Sequence, residues 1–517
     1  MASSPRPLNL GAALLALVLA GFVLAPLLAV AGRAQGFGLG PGDWSAVRFT
    51  VFQALMSALL SVVLAIPVAR ALARRQFLGR GVLVTLMGAP FILPSIVAVL
   101  GLLAVFGRSG VINEGLGLAG IEPISIYGTK GVVLAHVFLN LPLAVRMLLQ
   151  GWQSIPAERF RLAESLGFGP REIWRHLERP MISAVAPGAF VVIFVICLTS
   201  FAVALTLGGG PGATTVELAI YQAVRFDFDL GRAAVLAVLQ FGLCAFAAGV
   251  AWWLVKPSAF GAGLGRKLAM RAPGGWHLLT DVAAITLAAA FLVLPLGAIV
   301  LRGLPALTDL PASVWLAAGR SIVVALISTA VTMAAALVLA LGVARGPRAA
   351  GWLDAAAVLP LATSGLVLGT GLFLLVQPVL PPARLALPVT VLVNAALSLP
   401  FVYRLLLPEA LSLEADYGRL AASLGLRGWA RVRWLALPRL ARPLGFGAGL
   451  AAALSMGDLG VIALFAVEQG ATLPLVVQRL IGAYRMDAAA GAALLLVTLS
   501  FALFGAFDLW GRRHAAA

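Results

Sequence analysis

The chain has 517 residues, of which 61% are hydrophobic and only 11% are charged, and its formal net charge is +17 at pH 7. This balance excludes an ordinary soluble protein, which needs far more polar surface around its core. It does not indicate a nucleic-acid binder either, because the basic residues are spread over short segments between apolar runs. The two cysteines and four histidines are too scattered to predict a disulfide framework or a metal site.

Twelve apolar runs are long enough to cross a bilayer as helices, which takes about 20 residues each. Runs of this length without polar alternation favour helices over barrel strands. The sequence therefore predicts an all-α polytopic membrane protein with about 12 transmembrane helices. The predicted spans are 8–31, 49–72, 81–107, 129–151, 181–206, 231–255, 276–302, 317–344, 353–376, 386–408, 439–466 and 486–510. The first run imitates a secretory signal, but its length favours a retained helix.

Basic residues are concentrated in alternate loops between these spans. Cytoplasmic loops of membrane proteins carry an excess of Lys and Arg, and this bias sets the orientation. The richer set of loops includes 152–180 and 409–438, and it also includes both chain ends. We therefore expect both termini to lie in the cytoplasm.

The sequence also contains an internal repeat. Two pairs of segments align at an offset of 258 residues, and a third pair at 275: NLPLAVR at 140–146 with SLPFVYR at 398–404, RLAESLGFGPREIWRHLERP at 161–180 with RLAASLGLRGWARVRWLALP at 419–438, and AIPVAR at 65–70 with ALGVAR at 340–345. The repeat predicts two homologous six-helix domains, 1–255 and 276–517, joined by a cytoplasmic linker at 256–275. Because each domain has an even number of spans, the repeat is parallel.

The longest cytoplasmic loops hold the most informative motif, over 158–180 and 416–438. Each contains Arg-Leu-Ala, then Ser-Leu-Gly, then a basic amphipathic stretch and a proline. The glycines can end one short helix and reverse the chain, and the prolines suit the first turn of the next helix. We expect two short helices with a small apolar knob of Leu162, Ala163, Leu166 and their counterparts, shaped to enter a groove on a partner protein. A surface loop held by lipid headgroups is the alternative. The candidate docking residues are Arg161, Leu162, Ala163, Glu164, Ser165, Leu166, Gly167, Arg419, Leu420, Ala421, Ala422, Ser423, Leu424 and Gly425.

These loops resemble the EAA loop of the binding-protein-dependent ABC importer permeases, in which Glu-Ala-Ala is followed by Gly and later by Ile-x-Leu-Pro. Gly167, Pro180 and their counterparts match, but the acidic position is Arg161 in one copy and Arg419 in the other. A salt bridge from that Glu cannot be carried over. The resemblance implies that 158–170 and 416–428 are coupling helices that dock on a nucleotide-binding subunit.

A narrower resemblance covers most of the chain. The segments 133–150, 207–240, 455–465 and 472–485 are similar to the permease of bacterial thiamine and thiamine pyrophosphate importers. This implies an inner-membrane importer subunit with two fused permease domains and a thiamine-type substrate. Ferric-iron permeases share the architecture, but the run at 207–240 fits the thiamine group better.

The chain lacks the Gly-Lys-Ser/Thr sequence of a phosphate-binding loop. We therefore expect a transport subunit that is not itself an enzyme and binds no cofactor. ATP and Mg²⁺ would be bound by a partner ATPase dimer, and a separate periplasmic protein would capture the solute.

Polar residues within spans are costly and usually functional. Asp458 could line the pathway and attract a cationic substrate, or it could lie in a helix break that forms a gate; structural pairing is the alternative. Its repeat partner is Ser200. His136 and Asn140 share one helix face and could line the pore, although hydrogen bonding between helices fits them better.

Glu217 and Tyr221 belong to the segment after the fifth span and are candidates for the pathway, since an acid and an aromatic face suit a cation. Docking of the binding protein or a re-entrant segment at the mouth is an equal alternative. Two other classes fit less well. An ion-coupled secondary transporter would need several buried acids, and a membrane enzyme would need a catalytic cluster.

Overall fold

A computed structural model of the protein describes residues 7–34, 38–88, 92–254, 275–346, 350–466 and 470–515. Every regular element within these ranges is a helix, which confirms the all-α prediction. The predicted linker at 256–275 lies outside the described residues except for its last position. The division into two homologous domains stays a prediction, and "first half" and "second half" below refer to 1–255 and 276–517.

The first half contains twelve α-helices within the described residues. In chain order they are α1 (Pro7–Arg33), α2 (Pro41–Arg74), α3 (Arg80–Leu86), α4 (Ser95–Phe106), α5 (Val111–Leu118), α6 (Thr129–Gln153), α7 (Ala157–Ser165), α8 (Pro170–Ile173), α9 (Arg179–Leu198), α10 (Ala202–Leu207), α11 (Val216–Arg225) and α12 (Leu230–Leu254). A π-helical turn, Trp174–Glu178, joins α8 to α9, and a 3₁₀ turn, Pro211–Ala213, precedes α11.

The described part of the second half contains eleven more. They are α13 (Trp276–Ala306), α14 (Ala312–Arg345), α15 (Ala350–Val358), α16 (Gly365–Val376), α17 (Ala386–Ser423), α18 (Gly428–Arg431), α19 (Leu437–Arg439), α20 (Ala441–Met456), α21 (Gly460–Phe465), α22 (Leu473–Gly482) and α23 (Met486–His514). The π turn Val432–Ala436 joins α18 to α19, and the 3₁₀ turns Leu359–Ala362 and Pro382–Leu385 precede α16 and α17.

Eleven helical segments of the described chain are long and apolar enough to cross a membrane, and one bent pair makes a twelfth. This confirms about twelve spans, but breaks lie within four of the predicted ones, 81–107, 181–206, 353–376 and 439–466. The predicted span 81–107 contains α3 and α4 with a break between them. The predicted span 353–376 bends by 92° between Ala350–Ala362 and Gly365–Val376. At this bend the Ser364 hydroxyl accepts a hydrogen bond from the Val367 N–H (3.1 Å) and so caps α16.

The first helix of each half packs against the other half. Helix α1 lies on α14, α15 and α16, while α13 lies on α2 and α4. Glycines permit the closest approaches. A Cβ atom on Gly101 of α4 would lie 2.8 Å from the carbonyl oxygen of Pro295 in α13, and one on Gly371 of α16 would collide with the carbonyl of Pro26 in α1. The two contacts lie at equivalent places in the two halves, so each half packs its first helix on the other half in the same way.

Helix lengths revise one alignment of the repeat. Helices α2 and α14 each have 34 residues, and α2 ends at Arg74 where α14 ends at Arg345. Matching these ends places the two helices at an offset of 271 residues. The offset of 275 suggested by AIPVAR and ALGVAR is therefore wrong by about one helical turn.

Candidate coupling surface and pathway

The first candidate coupling segment folds into the short helix α7, and the chain then reverses at Gly167. This glycine has φ +68°, in the left-handed region. The Gly167 N–H donates to the Glu164 carbonyl (3.0 Å), and the Phe168 N–H donates to the Ala163 carbonyl (2.9 Å). This pair of bonds is a Schellman motif, which satisfies carbonyls at the end of a helix. The predicted reversal of the chain is present.

The second copy makes the same reversal from a different helix. Gly425 also has φ +68°, and the Leu426 N–H donates to the Ala421 carbonyl (2.9 Å). The preceding helix is α17, however, which runs for 38 residues from the predicted span through Ser423. Two short helices were therefore predicted wrongly for this loop. Its candidate coupling segment is the end of a long helix, α17, whereas Pro156 separates α7 from α6 in the first half.

Both loops expose a pair of leucines and bury an alanine. Leu162 and Leu166 are 59% and 61% exposed, and Leu420 and Leu424 are 54% and 66% exposed. The alanines of the two motifs hold the segments against the protein. Ala163 and Ala421 are buried, while the other candidate docking residues are exposed: Arg161, Glu164, Ser165, Gly167, Arg419, Ala422, Ser423 and Gly425. Each loop thus presents a leucine knob without its alanine, which corrects the predicted composition of that knob.

A π-helical turn follows each loop at the same place in the repeat. Arg179 and Leu437 each donate a backbone hydrogen bond to a carbonyl five residues earlier. Pro180 and Pro438 come next; in a regular α-helix each ring would collide with the carbonyl four residues before it. The wider turn avoids this clash, so the helix continues through Pro180 into α9. Pro180 and Pro438 lie in the first turns of α9 and α19, as predicted, although a π turn joins each of these helices to the preceding one.

A buried ion-pair cluster holds the first loop, and sequence reasoning missed it. Glu178, the last residue of the π turn, is fully buried. One of its carboxylate oxygens accepts from Arg70 (2.7 Å) and the other from Arg74 (2.9 Å). The Arg70 guanidinium also lies 4.7 Å from the centre of the Trp174 ring. Both arginines belong to the end of α2. We call these three charged residues the Glu178 clamp.

The second loop has a corresponding cluster built on a different acid. Glu414 of α17 accepts from Arg431 of α18 (2.6 Å) and pairs with Arg345 at the end of α14 (3.5 Å). The two arginines are largely buried. Gly418 leaves room for the acid, since a Cβ there would lie 3.0 Å from a carboxylate oxygen of Glu414. These three charged residues form the Glu414 clamp.

Asp458 and Ser200 lie in equivalent helix breaks. Ser200 stands between α9 and α10, and Asp458 between α20 and α21. The backbone N–H groups of α21 face the Asp458 carboxylate. Its Oδ2 atom is buried and has no hydrogen-bond partner among the described residues. A Cβ on Gly460 would lie 3.9 Å from the ring of Phe201, which brings the two breaks together at the contact between the halves.

His136 and Asn140 are both buried in α6. The Asn140 amide donates to the His136 carbonyl (2.8 Å) and to the Cys197 sulfur in α9 (3.5 Å). Asn140 therefore connects two helices, which matches the interhelical role that the sequence favoured. Neither ring nitrogen of His136 has a hydrogen-bond partner within the described residues.

Glu217 and Tyr221 share helix α11, one turn apart, but have different surroundings. Glu217 is buried against Gln240 and against Ser364 of the second half, and burial raises its pKa to about 8. Tyr221 packs edge to face between Phe201 (5.1 Å between ring centres) and Phe226 (5.7 Å). Only Tyr221 belongs to the aromatic group beside the helix breaks.

The chain is similar over nearly its full length to proteins named thiamine transport system permease protein ThiP. The relative from Brucella abortus (strain 2308) is 38% identical over 515 residues, covering 97% of this chain and 94% of the relative. The relative from Escherichia coli (strain K12) is 38% identical over 479 residues, covering 89% and 88%. The relative from Haemophilus influenzae is 34% identical over 496 residues, covering 92% and 91%. No family model matches the chain.

Proposed function

Because the chain belongs to the thiamine transport system permease family, we propose that it is the membrane-spanning subunit of an ATP-driven importer for thiamine or thiamine pyrophosphate. The observation that carries this proposal is the identity to thiamine permeases along almost the whole chain. It favours thiamine over ferric iron, because the relatives carry the name of the vitamin. Transport would run from the periplasm to the cytoplasm, with both chain ends inside.

The two leucine knobs support an ATPase dimer as the partner. Each knob projects two exposed leucines next to a basic residue, Arg161 in one copy and Arg419 in the other. Exposed leucine pairs of this kind suit insertion into a groove. There are two such loops, so one ATPase subunit would dock on each. ATP binding and hydrolysis in the partner would then drive alternating access, and a periplasmic binding protein would deliver the solute.

The helix breaks support a passage for a cation. The buried Oδ2 atom of Asp458, which has no hydrogen-bond partner among the described residues, lies in the break next to Gly460. Gly460 lies beside Phe201, which packs on Tyr221. Thiamine carries a cationic thiazolium ring. A carboxylate with an unused oxygen and nearby aromatic faces would both attract such a ring. Ser200 would occupy the matching position on the other side of the passage, and Glu217 would brace α11.

The test is uptake of labelled thiamine into proteoliposomes that contain the chain, its ATPase and its binding protein. We expect uptake only with all three proteins and hydrolysable ATP. Vesicles without the ATPase serve as the control, and labelled ferric ion tests the other substrate class. Uptake that persists without the ATPase would refute an ATP-driven importer. ATP-dependent uptake of iron but not thiamine would refute the substrate.

A further inference from the structure

Helix α2 is fixed to two functional regions that lie far apart. At its cytoplasmic end, Arg70 and Arg74 bind Glu178 in the turn that follows the first coupling loop. Near its other end, the Thr50 hydroxyl accepts a hydrogen bond from the Val216 N–H (2.9 Å), the first residue of α11. The same hydroxyl donates to the Ala46 carbonyl (2.7 Å) and so has both roles satisfied. One helix thus bonds directly to the coupling loop and to α11.

Helix α14 repeats this arrangement in the second half. Arg345 at its end pairs with Glu414 in the clamp of the second loop. The Ser321 hydroxyl accepts from the Leu473 N–H (2.8 Å), the first residue of α22. Ser321 occupies the position in α14 that Thr50 occupies in α2, because both lie 24 residues before the terminal arginine. The two halves reach the same connection with Thr50 in one and Ser321 in the other, and with glutamates that come from different positions of the repeat.

We propose that α2 and α14 are transmission helices that carry the movement of the coupling loops to α11 and α22, with Glu178, Glu414, Thr50 and Ser321 as positioning residues. This inference rests on the proposed function for the source of the movement. The partner that supplies the movement is the proposed ATPase, and α2 and α14 form the path that the movement takes through this chain.

The physical properties of the connection suit this role. Twenty-four helical residues span about 36 Å, close to the thickness of a bilayer. An α-helix keeps its length under load, and charge-assisted hydrogen bonds fix its end in position as well as orientation. Helix α2 contains Pro67, which removes one backbone bond, whereas α14 has no internal proline. Helix α14 is therefore the stiffer of the two.

The inner anchor is tested with Glu178→Gln, which keeps the size of the side chain but removes its charge. Asp281→Asn is the matched control. Asp281 is buried and pairs with Arg75 (2.8 Å), the neighbour of Arg74, but it ties α2 to α13 and not to a coupling loop. The outer anchor is tested with Thr50→Val. Its control is Thr390→Val, because within the described ranges the buried Thr390 hydroxyl bonds to the Ala386 carbonyl of its own helix (2.7 Å) and to no other helix.

Two measurements on the complete complex in nanodiscs or vesicles give the answer. The first is the number of thiamine molecules transported per ATP hydrolysed. We expect Glu178→Gln and Thr50→Val to lower it by about tenfold, as a loss of coupling does, with ATPase binding retained. The second is the distance between spin labels at exposed Phe226, the residue directly after α11, and at exposed Leu118 at the end of α5. It should change on trapping with ADP and vanadate in the wild type and both controls, but not in the two anchor variants.

The two proposals fail in different ways. A wild-type complex that hydrolyses ATP without moving thiamine refutes the substrate, while the label distance still reports on transmission. Equal label movement in the wild type and in both anchor variants overturns the transmission helices even if thiamine uptake is normal. If removal of any buried polar group were enough to disturb folding, the control variants would show the defect too, and ATPase binding would be reduced. A loss of transmission would leave the controls and ATPase binding unchanged.

Discussion

The exposed leucines of the two candidate coupling loops give the most direct test of the proposed binding to an ATPase. Leu166 belongs to the first knob and is 61% exposed. If the knob enters a groove on the ATPase, this surface leaves water on docking. Leu166→Ala should therefore weaken the complex without changing the fold, because the side chain has few contacts of its own to lose.

The size of the effect follows from the exposed fraction. Burying a whole leucine side chain contributes about 1.5–3 kcal/mol. The exposed fraction of Leu166 leaves about 1–2 kcal/mol to be gained at the interface, which corresponds to a change in Kd of about 5- to 30-fold. Leu424→Ala should have a similar effect, since its exposure is 66%. The effects of variants in both loops should add, because in the proposed complex each loop would contact a different ATPase subunit.

The assay is the binding of the ATPase to the chain in nanodiscs, followed by interferometry or calorimetry. The control is Leu78→Ala, because Leu78 is fully exposed in the turn after α2, on the face predicted to be cytoplasmic, but lies outside both loops. We expect the control to bind as the wild type does. If Leu166→Ala and Leu424→Ala also bind with unchanged Kd, the knobs are not the docking surface and the coupling role is refuted.

Three further predictions concern the pathway and the packing. Asp458→Asn should lower thiamine uptake at least about tenfold, because a hydrogen bond to a charged group contributes about 1.5–3 kcal/mol; unchanged uptake kinetics would remove Asp458 from the pathway. Burial raises the pKa of Glu217 from 4.5 to about 8, so its neutral form favours the folded state. The free energy of unfolding should therefore decrease by up to about 1.4 kcal/mol for each unit that the pH rises between about 4.5 and 8, and denaturation of Glu217→Gln should lack this slope. Gly371→Ala should destabilise the chain by about 1–3 kcal/mol through overpacking on α1, whereas Gly319→Ala, with open space around it, should be neutral or stabilising in thermal unfolding.

The sequence predicts the number and class of the helices well but not their continuity. The length of an apolar run indicates how much chain can lie in the bilayer. It does not reveal bends, because neighbouring helices can supply hydrogen-bond partners for the backbone groups that a bend frees. The break before α4 and the 92° bend at Ser364 are of this kind. Ser364 is a recognisable N-cap residue in the sequence. A single serine within a long apolar run does not, however, outweigh the hydropathy that predicts one continuous span. The bend was therefore predicted as a straight span.

The coupling loops were predictable because their spacing occurs twice, whereas the clamps were not. The repeat pairs Glu178 with Ala436 and Glu414 with Pro156, so neither acid has an acidic counterpart. An alignment of the halves cannot find two clamps that use different positions. The structure relates them through Arg74 and Arg345, which end equivalent helices. The only usable signal in the sequence was that each of these arginines ends an apolar run and therefore needs an acidic partner in a neighbouring loop or helix end.

The reciprocal packing of α1 and α13 limits how such a transporter can open. If the first and second halves rocked apart as separate bundles, α1 would have to leave α16 and α13 would have to leave α4. Both contacts are made at glycines where backbones approach closely, at Gly371 and Gly101, and small residues of this kind are how membrane helices bind without a hydrophobic driving force. An opening that keeps both contacts moves α1 with the second half and α13 with the first, and it breaks the close contact that α13 also makes with α23 at Gly303. The transmission helices fit this division, because α2 also packs on α13 and α14 on α1, so each would move together with the exchanged helix of the opposite half.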